Sequence, residues 1–394
     1  MLSAWSLGIG IPRLHLSPLE LALPFEFKLL VLISLASFTS AFFLFDNWWK
    51  QHSWWLHFKT FTTEQISLAR LRYVIYFIFT ISLAALYLFY RKAGNFPLLA
   101  PDSDAFRFEA DAQVPGLINY AAQFARLYIP LAFFLIFKET ASWKKHWDLV
   151  LICLLGTLAL TMFASRTQIF FIDLWIMALY LIMRKPSLRQ ALRFYPFFLI
   201  VSVVVLSAVP LIRNYKSYGP SNYLAGVTQI DSSHLPKGSS FFIPIYVGVS
   251  FNQQALLHAQ MYYETHPLQH GRVTLDPFTN LFGKAMPFLN NYKSSFDLGA
   301  IFYSWWNTGT YLFPFVQDFG NWAFLIVPAV AAGFISLVWR YWRTAPNYLS
   351  INLFAYACFF IVMTIYLSFT VRAEMYLDLA FLFLTHLYVS RRAG

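Results

Sequence analysis

Charged residues are scarce in this chain: 29 Lys and Arg and 18 Asp and Glu, 12% of 394 residues. A soluble globular domain carries about a quarter, so a water-facing surface of ordinary polarity is excluded. The only two cysteines, Cys153 and Cys358, each sit inside an apolar run. That excludes a disulfide framework and a thiolate metal site. Also missing are a Gly-x-x-x-x-Gly-Lys-Ser/Thr phosphate loop, a paired-glycine dinucleotide turn, a His-Glu-x-x-His pair, internal repeats and low-complexity tracts. No basic stretch precedes the first apolar residues, so no cleaved signal peptide is expected.

Apolar length is what the chain has in abundance. Hydrophobic residues make up 58%, and the mean hydropathy is +0.54. The pattern predicts an all-α, polytopic integral membrane protein, one membrane domain over 1–394. A span needs about 20 apolar residues. Runs near that length fall at roughly 28–45, 72–90, 117–137, 148–164, 167–184, 194–212, 320–338, 350–371 and 376–390, about nine helices. Residues 1–27 carry Pro12, Pro18 and Pro24 and read as an interfacial piece.

The net charge of +11 is not read as nucleic-acid binding. Lys and Arg gather on short cytoplasmic loops. Placing 46–71, 138–147, 185–193, 339–349 and 391–394 on one side collects Lys50, Lys59, Arg70, Lys138, Lys144, Lys145, Lys185, Arg189, Arg193, Arg340, Arg343, Arg391 and Arg392 there. Trp48, Trp49, Trp54, Trp55, Trp143, Trp147, Trp339 and Trp342 flank the same ends, as interfacial aromatics do. The segments 91–116 and 213–318 then face outward, and residue 28 enters from outside.

Residues 213–318 form the one long stretch without spanning character. They hold six Lys/Arg (213, 216, 237, 272, 284, 293), five Asp/Glu (231, 264, 276, 297, 318) and four of the nine His (234, 258, 266, 270). Within them Ser240–Gln260 is fairly apolar but contains Asn252, Gln253 and Gln254, which predicts a re-entrant or interfacial helix. Candidate chemistry collects here and at nearby helix ends. Arg126 lies within a predicted span, where a charge costs about 2.5–3.5 kcal/mol on insertion scales; it is either functional or snorkels to the outer interface. Arg166 occupies a tight outer turn, seven residues before Asp173. It either pairs with that acid or binds phosphate, for which a planar guanidinium is suited. Arg213, Tyr215 and Lys216 open the long segment as phosphate contacts or interfacial anchors. His266 and His270 are four apart, but Pro267 disfavours helix at His266 and no third ligand accompanies them, so no metal is expected. His266, His270 or Glu264 can instead serve as a general base. Arg372, Glu374 and Asp378 form a last charged outer turn.

At these residues the sequence resembles the oligosaccharide repeat-unit polymerases (Wzy-type O-antigen and capsule polymerases). The resemblance is carried by Gly94–Leu99 with Arg107, by Ser165-Arg166-Thr167, by Arg213-Asn214-Tyr215 with the cluster through Gly271, and by Thr308–Tyr311 with Asp318–Gly320. Arg272 followed by Gly283 also fits a loop pattern of the family, whereas the same spacing from Arg213 meets Leu224. The resemblance implies a GT-C-like membrane fold related to the O-antigen ligases, in the bacterial inner membrane, with its active site toward the periplasm or cell exterior. It implies a glycosyltransferase that moves a growing glycan from undecaprenyl diphosphate onto an incoming lipid-linked repeat unit. No cofactor, nucleotide sugar or nucleic acid is implied; a flippase and a chain-length regulator are the protein partners. Arg166, Arg213 and Arg272 are then expected to hold the diphosphate, with Tyr215, Lys216 and Arg126 behind them. His266 is the expected base, with His270 or Asp318 in reserve. A ligase that transfers finished polymer, and a polysaccharide-lipid transporter, are the alternatives.

Overall fold

The structure is a computed structural model. It describes residues 16–52, 65–139, 143–163, 166–190, 228–230, 242–282, 286–292, 301–303, 309–364 and 372–391, together with scattered positions between 192 and 212. Arg213, Tyr215, Lys216, Gly283 and most of the 194–212 run lie outside the described residues, as do the side chains of Arg107 and Arg166.

The fold is helical. In chain order the helices are α1 (Phe25–Gln51), α2 (Leu68–Ala93), α3 (Ser103–Gln113), α4 (Gly116–Ala122), α5 (Ala125–Lys138), α6 (Trp147–Met162), α7 (Arg166–Arg184), α8 (Ile243–Thr265), α9 (Arg272–Phe282), α10 (Phe313–Phe319), α11 (Ala323–Thr344), α12 (Tyr348–Met363) and α13 (Ala373–Val389). A two-residue antiparallel pair, Gln65–Ile66 with Ser390–Arg391, is the strand content among the described residues. Among the described residues, five segments are long and apolar enough to cross a membrane: Phe25–Gln51, Leu68–Ala93, Gly116–Lys138, Thr167–Arg184 and Phe313–Thr344. Two predicted spans contain shorter apolar helices, and residues 164 and 365–371 of those runs lie outside the described residues. Trp147–Met162 and Tyr348–Met363 have 16 residues each, about 24 Å of helix.

Contacts divide the chain into two compact units. The first comprises Met1–Thr63, Thr228–Ile230 and Tyr246–Phe381; the second comprises Glu64–Val227, Asp231–Ile245 and Leu382–Gly394.

The first unit is built on α1 and α11. Pro24 sets the backbone for α1 at φ −58°, and no Gly or Pro interrupts the 27 residues that follow, so the helix starts earlier and runs longer than predicted. Phe27 meets Phe324 edge to face, Ser37 Oγ donates to the Leu325 carbonyl (2.6 Å), and Trp49 Nε1 donates to Ser336 Oγ (3.1 Å). Residue numbers rise along both helices across the contact, from Phe27 and Phe324 to Trp49 and Ser336, so the helices run in parallel. Arg340 closes the far end with two hydrogen bonds to the Asp46 carboxylate. Asn347 and Ser350 cap each other's backbone N–H (2.8 and 2.9 Å) and start α12.

In the second unit α2 packs on α4 and α5, and α5 on α6 and α7. Gly94, at φ +78°, ends α2 in a left-handed turn that glycine adopts without strain. Beyond it, 91–116 is not the plain loop expected: Ser103–Gln113 is helical. Nor is 117–137 one helix. The ladder breaks at Gln123 and Phe124, which puts Arg126 in the first turn of α5. Tyr128 of α5 lies over Gly156 of α6, where any β-carbon would collide with its ring.

The long segment departs most from expectation. Its described residues are largely helical, and α8 is buried around its whole circumference from Ile243 to Leu257, with only intermediate exposure at Ile245 and Val249. A helix lying on a bilayer surface keeps one face open, so the interfacial reading is corrected: α8 is a core element.

Gly156→Ala forces Tyr128 to move. It should lower stability by about 1–3 kcal/mol, read as a lower thermal midpoint in detergent, and Tyr128→Leu in the same chain should restore part of the loss.

Candidate active site

The first-unit candidates lie between the end of α8 and the start of α9. Pro267 stops α8, and His266 N still bonds the Tyr262 carbonyl (3.0 Å). The imidazole is exposed and stacks on the Tyr262 ring, 3.9 Å between centroids and 8° from parallel. Its Nδ1 lies 2.9 Å from the Tyr262 carbonyl oxygen and 3.0 Å from Thr265 Oγ1. A carbonyl only accepts, so Nδ1 carries the proton. In the neutral ring Nε2 is then the lone-pair nitrogen, which is the state a general base needs.

From there the chain turns sharply. His270 has φ +51° and Gly271 φ +90°. Gln269 N bonds the Gln317 carbonyl (2.9 Å), and Arg272 N bonds the Gln269 carbonyl (3.2 Å). Arg272 begins α9 with an exposed side chain that makes no hydrogen bond or ion pair among the described residues. His270 is likewise exposed.

Asp318 is not a reserve base. It is 1% exposed. Its carboxylate accepts from Val273 N (3.2 Å), Thr274 N (2.7 Å) and the Thr274 hydroxyl. Those bonds cap α9, where a negative charge is favoured by the helix dipole. Its oxygens are engaged, and its role is to hold the turn. The bonds also occupy the amides on which α9 could have held an anion.

Two neighbours are set aside as bases. Burial pushes the Tyr263 phenol up to about 12, so it stays protonated. Burial holds the half-buried His258 imidazole below its ordinary value, and its ring packs beside Phe302 at 4.9 Å. Glu264 accepts from Gln260 Nε2 (3.0 Å) and is exposed.

Arg126 and Arg166 belong to the second unit. Arg126 does not snorkel. It is 3% exposed, with its guanidinium over the Tyr120 ring at 4.4 Å, so it presents no surface to a lipid diphosphate. Arg166 is the first residue of α7. In the first unit Arg372 is exposed, and Asp378 is 3% exposed and accepts from Tyr356 (3.4 Å).

Sequence reasoning missed Tyr262, whose spacing of four from His266 was a legible signal for stacking. It also missed the group around Arg72 in the second unit. There Arg72 reaches Asp148 (3.5 Å), His146 Nδ1 (3.2 Å) and Glu139 (3.8 Å). These side chains come from segments far apart in sequence, and no local spacing announces them.

Comparison with protein-family models, curated proteins and solved structures finds no match for this chain.

Asp318→Ala should cost about 0.5–2 kcal/mol through the lost cap, measured as a lower unfolding midpoint, and Asp318→Asn, which keeps one acceptor oxygen, should lose less. A histidine whose folded value is depressed is protonated more readily when unfolded. Stability should therefore fall as pH drops through about 6.5, and the fall should be smaller in His258→Phe.

Proposed function

We propose that this chain is a membrane glycosyltransferase that polymerises lipid-linked oligosaccharide repeat units, with a lipid diphosphate as leaving group. The observation that carries the reading is His266: an exposed imidazole with Nδ1 held by a backbone carbonyl and, among the described residues, no partner at Nε2, six residues from an exposed Arg272 that is likewise unpaired among them. The apolar helices support a substrate that resides in the bilayer. The resemblance in the ordered motifs, from Gly94 to Gly320, supports the same class.

In this reaction an acceptor sugar hydroxyl attacks the anomeric carbon of the donor glycan. The new C–O bond forms as the anomeric C–O bond to diphosphate breaks, and the glycan passes to the incoming repeat unit. His266 Nε2 takes the hydroxyl proton. Arg272 stabilises charge developing on the diphosphate, an interaction stronger in the transition state than in the ground state. Tyr262, stacked on the imidazole, and Asp318, capping α9, keep the two groups in place. The nine-span topology, the inner-membrane location and an outward-facing site belong to the same proposal.

The test is the repeat-unit ladder of surface glycan on a gel, at matched protein level. His266→Ala should cut chain growth about 100- to 10,000-fold, and Arg272→Ala roughly 100-fold. Arg166→Ala and Arg213→Ala are examined separately. Long chains in both the His266 and Arg272 variants overturn the assignment. Polymer that forms but stays on its lipid carrier points to a ligase.

A further inference from the structure

A second polar site lies in the first unit, toward the amino-terminal half of α8. Tyr246, Ser250, Gln253, Gln260 and Glu264 recur every three or four residues, or a multiple of that, and so form one stripe along the helix. At its amino-terminal half the stripe meets residues 16–23. Glu20, 8% exposed, accepts from the Tyr246 hydroxyl at both oxygens (2.8 and 2.6 Å) and from the Ser250 hydroxyl. Leu16 N donates to Tyr246 Oη (3.2 Å). Gln254 clasps the backbone of Leu21, accepting from its N–H (3.2 Å) and donating to its carbonyl (2.9 Å).

Two neutral hydroxyls satisfy the hydrogen bonds of the Glu20 carboxylate but leave its charge. No Lys, Arg or His pairs with it among the described residues. Buried charges are ordinarily paired or bound to a metal ion. Gln253 supplies an independent observation. It is fully buried, and neither its Oε1 nor its Nε2 has a partner. It stands one turn after Ser250 on the same helix face, and helical side chains lean toward the amino terminus, the direction in which Ser250 and Tyr246 lie along α8.

We propose that Glu20, Ser250, Tyr246 and Gln253 Oε1 bind a monovalent alkali cation that ties residues 16–23 to α8. The donors are all oxygen, the ligand type of hard cations. They carry one negative charge, which one monovalent ion neutralises and a divalent ion would exceed.

The test is the unfolding midpoint of the purified full chain, titrated with sodium chloride, potassium chloride or choline chloride at matched ionic strength. Binding to the folded state raises the midpoint with ligand concentration. An alkali ion should raise it and choline should not. Glu20→Gln should abolish the alkali response. Gln253→Ala, which leaves the carboxylate and hydroxyls in place, should weaken the apparent affinity roughly tenfold or more. Equal midpoints in choline and alkali salts overturn the proposal. So does an alkali response that survives unchanged in Gln253→Ala, and in Glu20→Gln if that variant folds.

Discussion

The bonds from Asp318 to the first turn of α9 fix the geometry on which the functional reading depends. A helix start leaves N–H groups without intrahelical partners, and in an apolar chain water cannot be relied on to satisfy them. Asp318 satisfies those of Val273 and Thr274 from α10. The Gln269 to Gln317 bond beside it fastens the preceding turn to the same element. Between these anchors the chain reverses through His270 and Gly271, both at positive φ, and emerges with Arg272 outward. The cap also decides the chemistry. With those amides engaged, the proposed binding of a diphosphate rests on the Arg272 guanidinium rather than on the helix start.

Satisfaction of polar groups away from water also explains α8. Its buried residues include Ser250, Asn252, Gln253, Gln254 and Gln260. Such residues are costly in an apolar interior unless each finds a partner. Ser250 and Gln254, with Tyr246, find partners in residues 16–23, more than 220 positions earlier in the chain. The strap and the helix therefore hold each other, while the amide of Gln253, Gln260 Oε1 and His258 Nε2 stand without a hydrogen-bond partner among the described residues.

The apolar spans were legible because their signal is local: length and composition suffice to mark Phe25–Gln51, Leu68–Ala93, Thr167–Arg184 and the run through Thr344. The interruption at Gln123 was not, since neither Gly nor Pro stands there and tertiary packing decides it. The burial of α8 was hidden for a related reason. Its polar residues read as surface because their partners are remote. At the candidate site His266 and Arg272 were legible by residue type and by the proline between them. Asp318 was found for its charge and given the wrong role, since a carboxylate that caps and one that catalyses look alike until the neighbouring N–H groups are placed. The burial of Arg126 against Tyr120 was not legible, because it depends on packing around a helix break that the sequence did not show.

The central claim is that the carbonyl-anchored His266 imidazole and the exposed Arg272 guanidinium together transfer glycan from a lipid diphosphate. Purified chain in detergent, supplied only with a lipid-diphosphate-linked repeat unit, tests it most directly. The account predicts lengthened lipid-linked glycan, with one lipid diphosphate released for each linkage formed, and loss of turnover in His266→Gln with folding intact. Unchanged repeat units with folded wild-type protein, or undiminished turnover in His266→Gln, would contradict it.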